Sequence, residues 1–167
     1  MTTDEEYTFI MMKPDALERG LTDEVLSYFS DSGLQPTMLE QKNVSSELVD
    51  EHYGHVPGDV LDELHDYFDD EDVMVGIMYG EDAVKRTREI VGDEFRPEEN
   101  EPGTIRGDAA NNPESPLYDE DLLPHYDSRI ADTWEIPLFN IVHASTSQEE
   151  AHEEAVRFYG EEIEKHL

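Results

Sequence analysis

The sequence contains no cysteine, which excludes disulfides and thiolate metal sites. It is almost as poor in positive charge: 11 lysines and arginines stand against 43 acids, a formal net charge of -32. A phosphate backbone is bound by a basic face, so nucleic acid is excluded as a main partner. No segment approaches the roughly 18 apolar residues of a membrane span, so no membrane association is expected. The first residues, MTTDEEYTF, lack the basic and apolar regions of a secretory signal. A cytoplasmic protein is expected.

What is present is enough for a folded unit. Hydrophobic residues make up 37% of the 167, and they fall in periodic blocks with the acids between them. That pattern belongs to a single domain with a solvated acidic surface rather than to a disordered chain. Acidity of this size points to a halophilic protein, because multimolar salt screens self-repulsion down to roughly 3 Å; an acidic protein of an ordinary cytosol is the plain alternative.

Residues 7–13 form a short apolar run ending at Pro14, read as a strand buried on both faces. A turn over 14–20 is expected next. Helical spacing of Leu21, Val25, Leu26 and Phe29, with Gly33 beyond, predicts a helix over 21–32. Strands are expected over 34–44, 72–80 and 138–144, and helices over 47–53, 59–68 and 81–92. Ser147 and Glu150 have capping-box spacing and open a last helix. The stretch 93–137, rich in Pro, Asn, Asp and Glu, reads as irregular. The order implies an α+β, ferredoxin-like sandwich: a four-stranded antiparallel sheet with helices packed on it.

Basic residues beside turn residues are conspicuous in so acidic a chain. Lys13 precedes Pro14, Arg106 sits in PGTIRGD, and Arg88 lies in a helix. A polyphosphate needs such a set, since arginine forks across two oxygens and lysine is a compact point charge. Each alone is as readily a solvated cation. His143 ends an apolar run and is followed by the small residues Ala144 and Ser145, which leave room for a bulky anion. Glu154, in the following helix, could point back and fix the imidazole tautomer. Packing for His143 and solvation for Glu154 are the plain alternatives.

The blocks YTFIMMKPDALERGL, EHY, GEDAVKRTREIVG, PGTIRGD and NIVHAS followed by QEEAHEEAVRFY resemble, in that order, the signature blocks of nucleoside diphosphate kinases. The resemblance is to a divergent haloarchaeal member. It implies transfer of the γ-phosphate of a nucleoside triphosphate, usually ATP, to a nucleoside diphosphate through a ping-pong phosphohistidine mechanism. Carried over by residue, His143 is the nucleophile, Glu154 its orienting partner, and Tyr53 packs beside it. Lys13, Arg88 and Arg106 hold phosphates, while Asn140 and Ser145 support ribose and histidine. Mg²⁺ arrives on the nucleotide rather than in a protein cage. The resemblance also implies a homo-oligomer built on dimers and extending to hexamers.

The sequence departs from the family pattern in places. The basic residue and Pro-Phe-Phe expected after His52-Tyr53 are missing from HYGHVPGDVLDEL. Glu94 stands where a threonine is usual, with like-charge repulsion expected. Thr146 stands where an acid is usual. A long insertion falls within about 109–138; its Tyr118, Tyr126 or Trp134 could stack on a base and its Arg129 reach phosphate, or the segment could be an ordered surface or subunit contact. A catalytically weak nucleotide-binding or interaction module of the same fold is the alternative function.

Overall fold

The computed structural model describes residues 5–167; the first four residues of the acidic N-terminus lie outside it. Its elements run β1 (Glu5–Met12), α1 (Pro14–Glu18), α2 (Thr22–Asp31), β2 (Gln35–Asn43), α3 (Ser46–Tyr53) and α4 (Gly58–Phe68). Then come β3 (Asp72–Glu81), α5 (Ala83–Val91), α6 (Ile105–Asn111), α7 (Ser128–Trp134), β4 (Val142–Ala144) and α8 (Gln148–Tyr159). The strands form one antiparallel sheet in the order β2-β3-β1-β4.

Apolar residues fill both parities of β1, so both faces of the sheet are covered. Phe9 and Met11 pack with Val49 of α3, Phe68 of α4, and Ala151, Ala155 and Phe158 of α8. Ile10 and Met12 face the other way, onto Val25 and Phe29 of α2, Val91 of α5 and Ile105 of α6. This is the expected α+β, ferredoxin-like sandwich. Among the described residues no helix is long and apolar enough to cross a membrane.

Three local expectations are corrected. Residues 14–20 are not merely a turn: Pro14 opens α1, its fixed φ being suited to a first helical position. The stretch 93–137 is not irregular throughout, since it holds α6, α7 and 3-10 turns at Pro97–Glu99 and Leu123–Tyr126. Residues 105–110 of α6 are all buried, so no polar face betrayed the helix. Strand β4 spans only three residues instead of seven. Its entry is cut by a γ-turn, in which Val142 N–H donates to the Asn140 carbonyl at 2.7 Å around Ile141 at φ 68°. A β-branched residue is rarely held there, and such strain persists only where packing enforces it.

The inserted segment is pinned to the core by buried polar contacts. Asp15 is 3% exposed and accepts hydrogen bonds from Tyr67 and Tyr126, the latter at 2.8 Å. Arg19 donates to the Tyr126 hydroxyl at 2.9 Å and to the Leu117 carbonyl at 2.8 Å. His125 stacks on Phe139 at 4.4 Å. Tyr126→Phe leaves the buried Asp15 carboxylate one donor short, and should lower unfolding free energy by about 1–3 kcal/mol. Urea titration in multimolar KCl checks this, with exposed Trp134→Ala as a control that should stay within about 0.5 kcal/mol.

Candidate active site

His143 sits in β4 opposite Met11 of β1, so the sheet fixes its backbone while its side chain stays about one-fifth exposed. Its Nε2 lies 2.5 Å from Oε2 of Glu154. The second carboxylate oxygen, Oε1, accepts from the Ser145 hydroxyl at 2.5 Å. Glu154 is held at this point by α8, which starts where Ser147 Oγ accepts from Glu150 N–H at 3.0 Å. The Glu150 carboxylate reaches back to the Thr146 amide and hydroxyl at 3.2 and 2.6 Å, completing a reciprocal cap.

Burial pushes the Glu154 carboxyl up, but hydrogen bonds and charge from His143 and Ser145, with a lesser pull from His52, prevail and hold it below its ordinary value. It therefore accepts as a carboxylate, and Nε2 of His143 carries the proton. That leaves Nδ1 as the ring's lone-pair nitrogen, with no hydrogen-bond partner among the described residues. Nucleophilicity at Nδ1 is what this arrangement favours.

A cleft of about 480 Å³ opens over the ring. Lys13, Tyr53, Arg88, Arg106, Asn140 and Glu154 line it with His143, so seven of the eight expected site residues converge there. The eighth, Ser145, is fully buried behind them and acts on Glu154. Burial and the nearby Arg106 charge bring the Lys13 ammonium down to about 8, against a smaller opposing pull from Asp15. Arg106 is lowered to about 10 by burial and Arg88. Its NH1 donates to the carbonyls of Gly92 and Glu94, and its NH2 to that of Val142.

The glycines of this corner are forced by close approach. A Cβ on Gly107 would lie 1.9 Å from the Glu101 carbonyl, and one on Gly92, at φ 105°, would lie 2.7 Å from Asn100 Oδ1. Asp108 of the RGD triplet ties the loop together, accepting from Gly103 N–H at 2.7 Å and from the Tyr28 hydroxyl.

Other residues arrive that the sequence did not point to. The ring packed edge-on to His143 from α3 is His52, with centroids 5.6 Å apart; Tyr53 packs against His52 in turn. Phe95 lines the cleft and is 66% exposed, and Arg157 of α8 lines it too. The aromatic candidates in the insertion do not line it: Tyr126 is buried against Asp15, and Trp134 is exposed elsewhere. Arg129 pairs with Asp127 instead of facing the cleft. Glu94 offers Arg106 its backbone carbonyl, and the acid lining the cleft there is Asp93, which pairs with Arg88 at 3.0 Å.

Comparison with known proteins matches residues 6–163 to the family model described as nucleoside diphosphate kinase. A nucleoside diphosphate kinase of Natronomonas pharaonis is 41% identical over 106 residues, covering 63% of this chain and 69% of the relative. One from Haloquadratum walsbyi is 33% identical over 161 residues, covering 95% and 86%. Among solved structures, an NDP kinase from Pyrobaculum aerophilum aligns with TM-score 0.71 at 27% identity, covering 95% of this chain and 97% of that one. A transition state mimic of the Borrelia burgdorferi nucleoside-diphosphate kinase, with bound vanadate and ADP, gives TM-score 0.78 at 22% identity, covering 96% and 90%.

Burial, then the neighbouring charge of His143, drives the His52 imidazole down to about 3 from 6.5, with Glu154 pulling the other way and Arg157 and Lys13 pushing further down. The unfolded chain therefore takes up a proton at His52 between those values that the folded chain refuses, and stability falls as pH falls. His52→Gln should flatten this acid slope by up to about 1.4 kcal/mol per pH unit. Urea unfolding between pH 6.5 and 4.5 measures it, and an unchanged slope would place the titration elsewhere.

Proposed function

The chain belongs to the nucleoside diphosphate kinase family, and we propose that His143 carries the phosphoryl group between its nucleotides. The observation that carries this is the hydrogen bond that commits Nε2 to Glu154 and leaves Nδ1 uncommitted on a ring that lines a cleft holding four cations. In the first half-reaction the Nδ1 lone pair attacks the γ-phosphorus of a nucleoside triphosphate such as ATP. The bond to the β–γ bridging oxygen breaks, and its electrons leave with the diphosphate. The proton on Nε2 stays in place, shared with Glu154, while the ring becomes positive. In the second half-reaction a terminal oxygen of the acceptor diphosphate attacks phosphorus, and the N–P electrons return to Nδ1.

The rest of the cleft serves positioning and charge neutralisation, which dominate this chemistry. Lys13, Arg88 and Arg106 would hold phosphate oxygens. Two buried polar atoms on these walls, Asn140 Oδ1 and Arg106 Nε, have no partner among the described residues. Such groups are costly unless met, and a ribose hydroxyl and a phosphate oxygen supply the matching donor and acceptor. Phe95 offers the nucleobase an exposed ring, in place of the insertion aromatics. Tyr53, held protonated by burial and the Glu154 charge, is a donor on the same wall.

Mg²⁺ fits this donor set only as a companion of the nucleotide. Glu154 is committed to His143 and Ser145, Asp93 to Arg88 and Glu150 to Thr146, so Glu51 and Glu153 are the lining carboxylates left to steady a hydrated ion on the phosphates. It would supply charge neutralisation there. A homo-oligomer built on dimers and a salt-rich cytoplasm belong to the same reading, the latter supported by the net charge of -32 and by the haloarchaeal relatives.

Initial rates with ATP and GDP in multimolar KCl test the proposal. Parallel double-reciprocal lines are expected, lost in His143→Ala; intersecting lines would mean direct transfer without a phosphoenzyme. In the same assay kcat/KM should fall above pH about 8 as Lys13 loses its proton in the free protein. Lys13→Arg should remove that limb.

A further inference from the structure

With 43 acids for 11 cations, a carboxylate is the partner most readily on offer to a basic side chain in this chain. Lys42, Lys85, Arg88, Arg96 and Arg129 all make ion pairs with acids. Among the cleft residues, Lys13, Arg106 and Arg157 make none among the described residues. Most of the Arg106 fork is spent on backbone carbonyls. Arg88 donates from Nε, NH1 and NH2 to Asp93 and the Ala144 carbonyl.

Arg157 is in a different state. Its NH1 donates to Nδ1 of His52 at 2.7 Å, and its Nε and NH2 have no partner among the described residues. Arginine can only donate, so His52 accepts at Nδ1 and is neutral, with its proton on Nε2, 3.7 Å from Glu154 Oε2. A neutral imidazole holds the guanidinium without cancelling its charge, which a carboxylate would do. Arg157 stands three positions after Glu154 on α8, so both lie on one flank of the helix and line the same cleft.

We propose that Arg157 is a further binding residue for the transferring phosphoryl group, presented to the cleft by neutral His52. This deepens the phosphoryl-transfer reading above and rests on it. The free edge of the guanidinium meets two oxygens of a terminal phosphate, an arrangement that lysine cannot reproduce. Because the slot belongs to the group that moves, a triphosphate fills it in the free protein and a diphosphate does not.

Calorimetry of the full chain with ADP and with the non-hydrolysable triphosphate AMP-PNP, both with Mg²⁺ in multimolar KCl, tests this. In Arg157→Gln, AMP-PNP affinity should fall about tenfold or more and ADP affinity about twofold or less. Arg157→Lys, which keeps the charge and loses the fork, should fall between, and it serves alone if the glutamine variant fails to fold by circular dichroism. Equal weakening of both nucleotides, or of neither, would overturn the assignment. Phosphoenzyme formation by the unmutated protein is scored separately. Its absence would count against the kinase reading, while the ratio of the two affinities still decides the role of Arg157.

Discussion

The buried carboxylate of Glu154 is the constraint on which the site depends. It bridges two elements, accepting from His143 of β4 with one oxygen and from Ser145 with the other. A carboxylate only 3% exposed is costly unless its acceptors are met, and here both oxygens are. The fold supplies the partners by packing α8 on β1, the strand next to β4, where Ala151, Ala155 and Phe158 meet Phe9 and Met11. The γ-turn at Ile141 cuts β4 to three residues, with His143 at its centre and paired to Met11 of β1.

Charge is the second constraint. A net charge of -32 leaves few cations to spend, and four of the eleven, Lys13, Arg88, Arg106 and Arg157, meet in one cleft. Burial first, and then a neighbouring like charge (Arg106 for Lys13, Arg88 for Arg106), lower Lys13 and Arg106. A bound anion would offset the like-charge part of that shift, which is the sense in which the cleft suits the polyphosphate of the proposed function. Of the acids that line it, Glu154 is tied to His143, Asp93 to Arg88 and Glu150 to Thr146, while Glu51 and Glu153 have no such tie among the described residues.

Much of this was legible in the sequence, and what was not has physical causes. The spacing of apolar residues located the long helices and three of the strands, because those elements each bury one face or both. His143 and Glu154 stood out through the small residues after the histidine and the helix that follows. Helices α6 and α7 were missed, since seven residues carry too little periodicity and α6 is buried on every side. The contact between Arg157 and His52 joins residues 105 apart, and Arg157 read alone is one more cation on a solvated helix. Phe95 lay in a stretch with no period. Tyr126 looked available for a base until the fold showed its hydroxyl committed to buried Asp15.

The central claim is that Nδ1 of His143 takes the phosphoryl group while Nε2 stays protonated against Glu154. Nitrogen-15 and phosphorus-31 NMR of the ¹⁵N-histidine-labelled protein, treated with ATP and Mg²⁺ and held at alkaline pH, tests it most directly. Phosphorus coupled to Nδ1 of His143, with a proton on Nε2, is the expected result. Phosphorus on Nε2, on another residue, or on no residue of protein shown to be folded would contradict it.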